Sequence, residues 1–306
     1  MSPEDLRRVL PGVNAVTITP FTDDLDLDEA SLRHIVRHLD DGGADTIITC
    51  GGTAEYYALT AAERSRINTV ALDEARHRPV IVSVGLGAAE ASTAVAEAER
   101  AGAAGIMIHQ PIHPYTSANG LFDYYRQICG ATSLGVVVYL RDPRVTTDLI
   151  ARLIKLDNVV GIKYAINDVR RFGSTVKELE GLSDVVWLCG TAEAWAPYFW
   201  LAGAQGFTSG LANFAVHEAI GLRDALRSGD AGEIRRLWRR LLPLEDLRSR
   251  HADANNISVL KSAAHMCGLS ATEAIRPPLQ PLDAEDRREL VQLLAAWGIV
   301  EGHTAP

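Results

Sequence analysis

Lys163 sits near the end of the run VVGIKYAIND, residues 159–168, whose apolar members read as a buried strand. An ammonium ion is costly in a strand covered on both faces. Two physical readings fit it. At an edge, the four-carbon stem would carry the charge out to water. Held inside, the amine would lose proton affinity to desolvation and become a nucleophile toward a carbonyl carbon. Tyr139, near the end of VVVYL, would stand on the neighbouring stave if the two strands pair. A phenol beside a neutral amine is a workable proton shuttle. The stretch CGGTAEYYALT, residues 50–60, supplies a third part. Gly51 and Gly52 let a ligand approach the backbone closely, Thr53 adds a hydroxyl, and such a turn aims amide N–H groups at a carboxylate. These parts act together only if the fold brings them to one place.

Other polar residues are weaker candidates. His34 and His38 have the i, i+4 spacing of a metal pair, but they lack a third ligand and a solvated helix face explains them better. His109 and His113 flank a proline; His113 fits a substrate contact or a subunit contact equally well. Thr208, Ser209 and Asn213, where an eighth strand would end, could bind sugar-acid hydroxyls or stabilise their own turn. Cys50, Cys129, Cys189 and Cys267 are scattered without a CxxC pair, which argues against a zinc site or disulfide scaffold and for a reducing cytoplasm. No metal and no organic cofactor is expected.

The frame must position these residues. The 306-residue chain is 47% hydrophobic and 23% charged with a net charge of −9, too apolar for disorder and too acidic for a nucleic-acid partner. No apolar run reaches the length of a membrane span, and MSPEDLRRVL lacks the build of a signal peptide. Strands are predicted at 13–19, 44–50, 79–85, 104–109, 134–140, 158–165, 184–190 and 204–210. Helices are predicted at 28–43, 60–75 with a Thr60/Glu63 capping box, 88–101, 120–130, 146–156, 168–180, 192–203 and after Phe214. Eight β/α units imply right-handed crossovers and an α/β fold, a closed (β/α)8 TIM barrel over residues 1–225. An open doubly wound sheet is the alternative, but no GxGxxG follows the first strand. Residues 226–306 read as C-terminal helices packed on the barrel. Barrel sites form at the C-terminal ends of strands, where Lys163, Tyr139 and the glycine turn fall.

In order along the chain come TPF at 19–21, GGTAE at 51–55, Tyr139 ending the fifth strand, GIK at 161–163 and RPPL at 276–279. On these the chain resembles the dihydrodipicolinate synthase/N-acetylneuraminate lyase family of Schiff-base barrel lyases, which carries G-[ST]-T-G-E where GGTAE stands. The resemblance implies that Lys163 forms the imine, that Tyr139 relays protons, and that Gly52 and Thr53 bind the carboxylate of a 2-oxo acid through their amides. It also places Arg144 near the position of a synthase arginine for a substrate carboxylate, though a surface role fits Arg144 as well. A homo-oligomer, tetramer or dimer, follows from the same resemblance, with the loop from Gln110 to Asn119 near the site as the contact.

Departures from the family bear on the substrate. Synthases carry two threonines in the glycine turn, and Gly52 replaces the first. Where they carry a tyrosine that reaches the neighbouring subunit, this chain has His113. Both changes argue against dihydrodipicolinate synthesis. The turn is instead similar to the GGTGEFFSLT of 5-dehydro-4-deoxyglucarate dehydratases, as YLRDP is to their YNRDN and SGLANF to their SSAVFNF. Ala54, Leu140 and Tyr164 depart from that pattern. The expectation is therefore a cofactor-free lyase that forms a Schiff base with a 2-oxo acid and dehydrates a deoxy-oxo sugar acid. Dihydrodipicolinate synthesis or a pyruvate-dependent aldol reaction is the alternative, and a 2-oxo acid binder without turnover is another.

Overall fold

In the computed structural model, described for residues 1–300, all eight expected strands are present. They are β1 (Val13–Val16), β2 (Thr46–Thr49), β3 (Val80–Val84), β4 (Gly105–Ile108), β5 (Gly135–Leu140), β6 (Val159–Tyr164), β7 (Val186–Cys189) and β8 (Gly206–Ser209). Each pairs in parallel with the next, and β1 pairs with β8 to close the barrel. Their valine- and isoleucine-rich composition follows from burial on both faces, since helices cover the outside. Those helices are α2 (Glu29–Gly42), α3 (Ala61–Glu74), α4 (Ala88–Arg100), α5 (Ala118–Cys129), α6 (Thr147–Leu153), α7 (Val169–Glu178), α8 (Ala192–Leu201) and α9 (Ala212–Ser228). Thr60 and Glu63 form the expected capping box on α3.

The sequence reading misses α1 (Pro3–Val9). Ser2 caps it by accepting from the Asp5 amide, Asp5 bonds back, and Pro3 sits in the first turn. Leu6 and the following Leu10 pack with Val16, Ile48, Ile81, Met107, Val137 and Val186 inside the barrel. Gly161, two residues before Lys163 on the same side of β6, serves this packing. A Cβ there would lie 3.1 Å from Leu10 Cδ1, so Gly161 makes room for the α1 plug.

Three further helices, α10 (Ala231–Asp253), α11 (Asn256–Met266) and α12 (Ala284–Ala296), follow the barrel. Leu237, Leu241, Leu244, Leu247 and Leu260 join the apolar core shared with the barrel helices. Near its end α10 breaks, with Arg250 extended and His251 and Ala252 left-handed at φ 54° and 55°. Among the described residues no helix is long and apolar enough to cross a membrane.

Candidate active site

Parallel pairing sets Tyr139 directly opposite Lys163 across β5 and β6. An irregularity one turn earlier makes this register: Val136 faces Val159, whereas Val137 faces Gly161. The Lys163 ammonium nitrogen lies 4.3 Å from the centre of the Tyr139 ring, a cation–π distance. Both side chains line a cavity of about 900 Å³ at the C-terminal ends of the strands. Lys163 is 5% exposed and has no carboxylate partner among the described residues. Burial lowers its pKa to about 8; Arg141 adds to this and Cys189 opposes it. Burial also raises the Tyr139 phenol above its ordinary value, against the pull of Arg141. The Tyr125 hydroxyl donates to the Tyr139 carbonyl at 3.1 Å and fixes that strand end.

His109 backs the tyrosine. Its ring stacks on Tyr56 at 4.3 Å and meets Tyr139 edge-on at 5.4 Å. Burial, then the charge of Lys163, lowers its pKa to about 3. It is therefore a neutral imidazole at working pH, with Nε2 3.2 Å from the Cys50 carbonyl oxygen, to which it donates.

The glycine turn forms a short 3-10 turn over Gly52–Ala54 whose leading amides lack a partner within it. A Cβ on Gly52 would meet nothing within 4 Å, because the residue faces the cavity. Three bonds hold the turn from outside the barrel's second unit. Thr19 Oγ1 donates to the Ala54 carbonyl at 2.8 Å, and buried Glu55 pairs with Lys261 of α11 at 2.5 Å. Arg276 of the RPPL stretch donates its amide to Glu55 and forks onto Glu63. The separated motifs TPF, GGTAE and RPPL thus brace one turn.

Lys163, Tyr139, Gly52, Thr53 and Thr208 line the cavity, but five other candidates do not. Gly51 packs against β1, where a Cβ would collide with Val16. His113 lies in a separate surface hollow with Tyr57 and Tyr124. Arg144 points to solvent and is held by Asp142 at 2.6 Å. Ser209 is wholly buried and donates to Glu193 while accepting from the Ala212 amide. Asn213 joins β1 to β8, accepting from the Ile18 amide and donating to the carbonyls of Val16 and Gly210. Ser209 is thus engaged by a carboxylate and a backbone amide, and Asn213 by the backbone alone. His34 and His38 line an outer hollow with His217, but no third ligand atom converges with them among the described residues.

The sequence reading passed over Arg141, which lines the cavity two residues after Tyr139 and has no carboxylate partner among the described residues. Its signal in the sequence is its place in YLRDP, two residues past the strand-ending tyrosine. It also passed over Glu245, Arg248 and Asn256, which reach the cavity from the C-terminal helices. No strand-end rule points to them.

Comparison with known proteins agrees with this geometry. The Dihydrodipicolinate synthetase family profile matches residues 9–297. A protein of Methylobacterium radiotolerans named probable 5-dehydro-4-deoxyglucarate dehydratase is 32% identical over 302 residues, covering 96% of this chain and 98% of its own. A protein of the same name from Saccharopolyspora erythraea is 34% identical over 296 residues, covering 95% of each. The crystal structure of dihydrodipicolinate synthase from Bacillus clausii superposes with a TM-score of 0.93 at 37% identity, covering 96% of this chain and 99% of that one. With its barrel, its buried lysine and tyrosine and its matched span, the chain belongs to the dihydrodipicolinate synthetase family and is a lyase of that family.

Proposed function

We propose that the protein dehydrates a deoxy-oxo sugar acid of the 5-dehydro-4-deoxyglucarate type through an imine at Lys163. The observation that carries this reading is the desolvated Lys163 amine beside Tyr139 on one cavity wall. The free amine attacks the 2-oxo carbon while the substrate carboxylate rests on the Gly52 and Thr53 amides. Tyr139 gives its proton to the carbinolamine hydroxyl, which leaves as water, and the resulting iminium stands beside a phenolate. The phenolate takes the proton from the adjacent carbon, forming an enamine. The enamine then expels the hydroxyl one carbon further out, which leaves as water with a proton from a nearby acid. Arg141 adds a cation to the wall, suited to an anionic substrate. No organic cofactor is needed, because the lysine supplies the electron sink.

The names of the two relatives support the substrate class. So does Gly52, which has no hydroxyl for the proton relay of a synthase. A second reading, condensation of pyruvate with aspartate semialdehyde, draws on the likeness to the Bacillus clausii synthase. Turnover with 5-dehydro-4-deoxyglucarate and related acids, set against pyruvate plus aspartate semialdehyde, separates the two. A higher kcat/KM in the semialdehyde reaction would overturn the dehydratase assignment.

The same reading has the chain working as a homo-oligomer in a reducing cytoplasm. The loop between β4 and α5 exposes Ile112 and Tyr115, at 69% and 89%, as a subunit contact would need before assembly. All four cysteines are unpaired. Light scattering at micromolar concentration should give a dimer or tetramer; a monomer alone would count against the assembly.

A further inference from the structure

One wall of the cavity has no part in the steps above. Helix α10 presents Glu245 and Arg248 to the space that Lys163 lines, and the two are only 8% and 5% exposed. Arg248 Nη1 donates to Glu245 Oε1 at 2.6 Å, while Nε and Nη2 donate to the carbonyl and side-chain oxygens of Asn256 at 3.4 and 3.0 Å. A guanidinium has five N–H groups, so among the described residues two remain free. The second oxygen of Glu245 accepts no hydrogen bond among the described residues. Behind the pair stands Glu193 of α8, wholly buried, with Oε1 taking the Ser209 hydroxyl and Oε2 without a partner among the described residues. Burial and then the nearby Glu245 raise the Glu193 pKa, which favours its protonated form and leaves Glu245 as the counter-ion of Arg248.

Position and charge narrow what this wall can hold. A Cβ on Gly210 would lie 3.3 Å from Arg248 Nη2 and 3.5 Å from Thr53 Cγ2. Arg248 therefore overhangs the end of β8, within one small side chain's reach of the carboxylate turn. Because Glu245 balances Arg248, the unit is neutral and offers donors and an acceptor side by side. That pattern fits adjacent hydroxyls, each both donor and acceptor, better than it fits an anion. Buried polar groups with unused capacity discriminate strongly against ligands that leave them unpaired.

We propose that Glu245 and Arg248 hold the vicinal diol of a hydroxylated 2-oxo acid, the departing hydroxyl together with the one beside it, so that the C-terminal helices select hydroxylated 2-oxo acids over simple ones. The proposal rests on the imine at Lys163 only for the placement of the oxo end.

The test uses pyruvate, which carries no hydroxyl, and 5-dehydro-4-deoxyglucarate. Borohydride trapping is titrated with each acid on the full chain, as wild type, Arg248→Lys, Glu245→Gln and the double variant Glu245→Leu/Arg248→Met. The double variant removes both charges and so leaves neither buried alone. The half-saturating concentration for the hydroxylated acid, divided by that for pyruvate, should rise roughly 10–100-fold in each variant, as expected for lost hydrogen bonds to charged groups. An unchanged ratio would overturn the clamp, and pyruvate trapping shows that each variant is folded. Absence of any adduct in the wild type would overturn the imine reading instead. Calorimetric binding of the hydroxylated acid to Lys163→Ala, with and without the α10 changes, then decides the clamp: weakened binding supports it and equal binding refutes it.

Discussion

The ammonium nitrogen of Lys163 lies 4.3 Å from the centre of the Tyr139 ring, and the two residues are direct partners across β5 and β6. The barrel register alone sets this contact, which needs no flexible loop. An amine made less basic by burial and a phenol made less acidic by it are thereby held together. At neutral pH the phenol keeps its proton, ready to give, while a fraction of the amine has already lost its own.

The first expectation concerns pH. The nucleophile is the neutral amine, and burial lowers its pKa from the ordinary 10.5 to about 8. Its neutral fraction therefore grows as pH rises through about 8 and levels off above. Initial rates of pyruvate trapping, measured from roughly pH 6 to pH 10, should follow that curve. A midpoint near the ordinary lysine value would mean that Lys163 is solvated.

Tyr139→Phe should keep the ring contact and remove the transferable proton. Imine formation should slow by about 10²–10⁴-fold, the usual loss when positioned proton transfer is removed. Stopped-flow rates with pyruvate read this directly. A change of less than threefold would assign the proton transfers elsewhere.

Most of the architecture was readable because alternation and β-branched runs are strong periodic signals. The eight strands and the helices between them fall where the pattern places them. The α1 plug was missed although Ser2, Pro3 and Asp5 spell a helix start. A helix of seven residues gives too short a period to register, and nothing in one sequence says that Leu6 and Leu10 fill a barrel. Lys163 was legible because a charge inside an apolar strand breaks its own pattern, and Tyr139 because it ends the strand expected beside it. Arg144 stood open between a substrate contact and a surface role because sequence spacing does not fix where a loop turns; Asp142 holds it outward. Ser209 and Asn213 looked like ligand-binding groups because the type of a polar residue does not reveal whether the backbone already claims it. Glu245 and Arg248 lie 82 and 85 residues beyond Lys163, and only tertiary folding carries them to the cavity.

Gly52→Val should separate binding from stability. Space above Gly52 is open, so the larger side chain meets no protein atom at its Cβ, yet it intrudes where a carboxylate would lie. The melting temperature should stay near that of the wild type, while the pyruvate concentration for half-maximal trapping rises at least about tenfold, roughly one charge-assisted hydrogen bond. Unchanged trapping would move the carboxylate away from this turn.

Leu10→Ala should destabilise the fold by about 2–5 kcal/mol, the cost of deleting a wholly buried leucine. Gly161→Ala should cost about 1–3 kcal/mol by crowding Leu10. Urea unfolding of both variants checks the plug. If Gly161→Ala proves neutral, the glycine is not there for packing.

Borohydride reduction in the presence of a 2-oxo acid, followed by mass mapping of the adduct, tests the central claim most directly. The chain has four lysines, Lys155, Lys163, Lys177 and Lys261, so the adduct is easily assigned. Lys261, the other buried one, is paired with Glu55. A single adduct on Lys163 is expected, absent in Lys163→Arg because a guanidinium stays charged at working pH. An adduct on another lysine, or none with any acid of a broad 2-oxo acid panel, would contradict imine catalysis at Lys163.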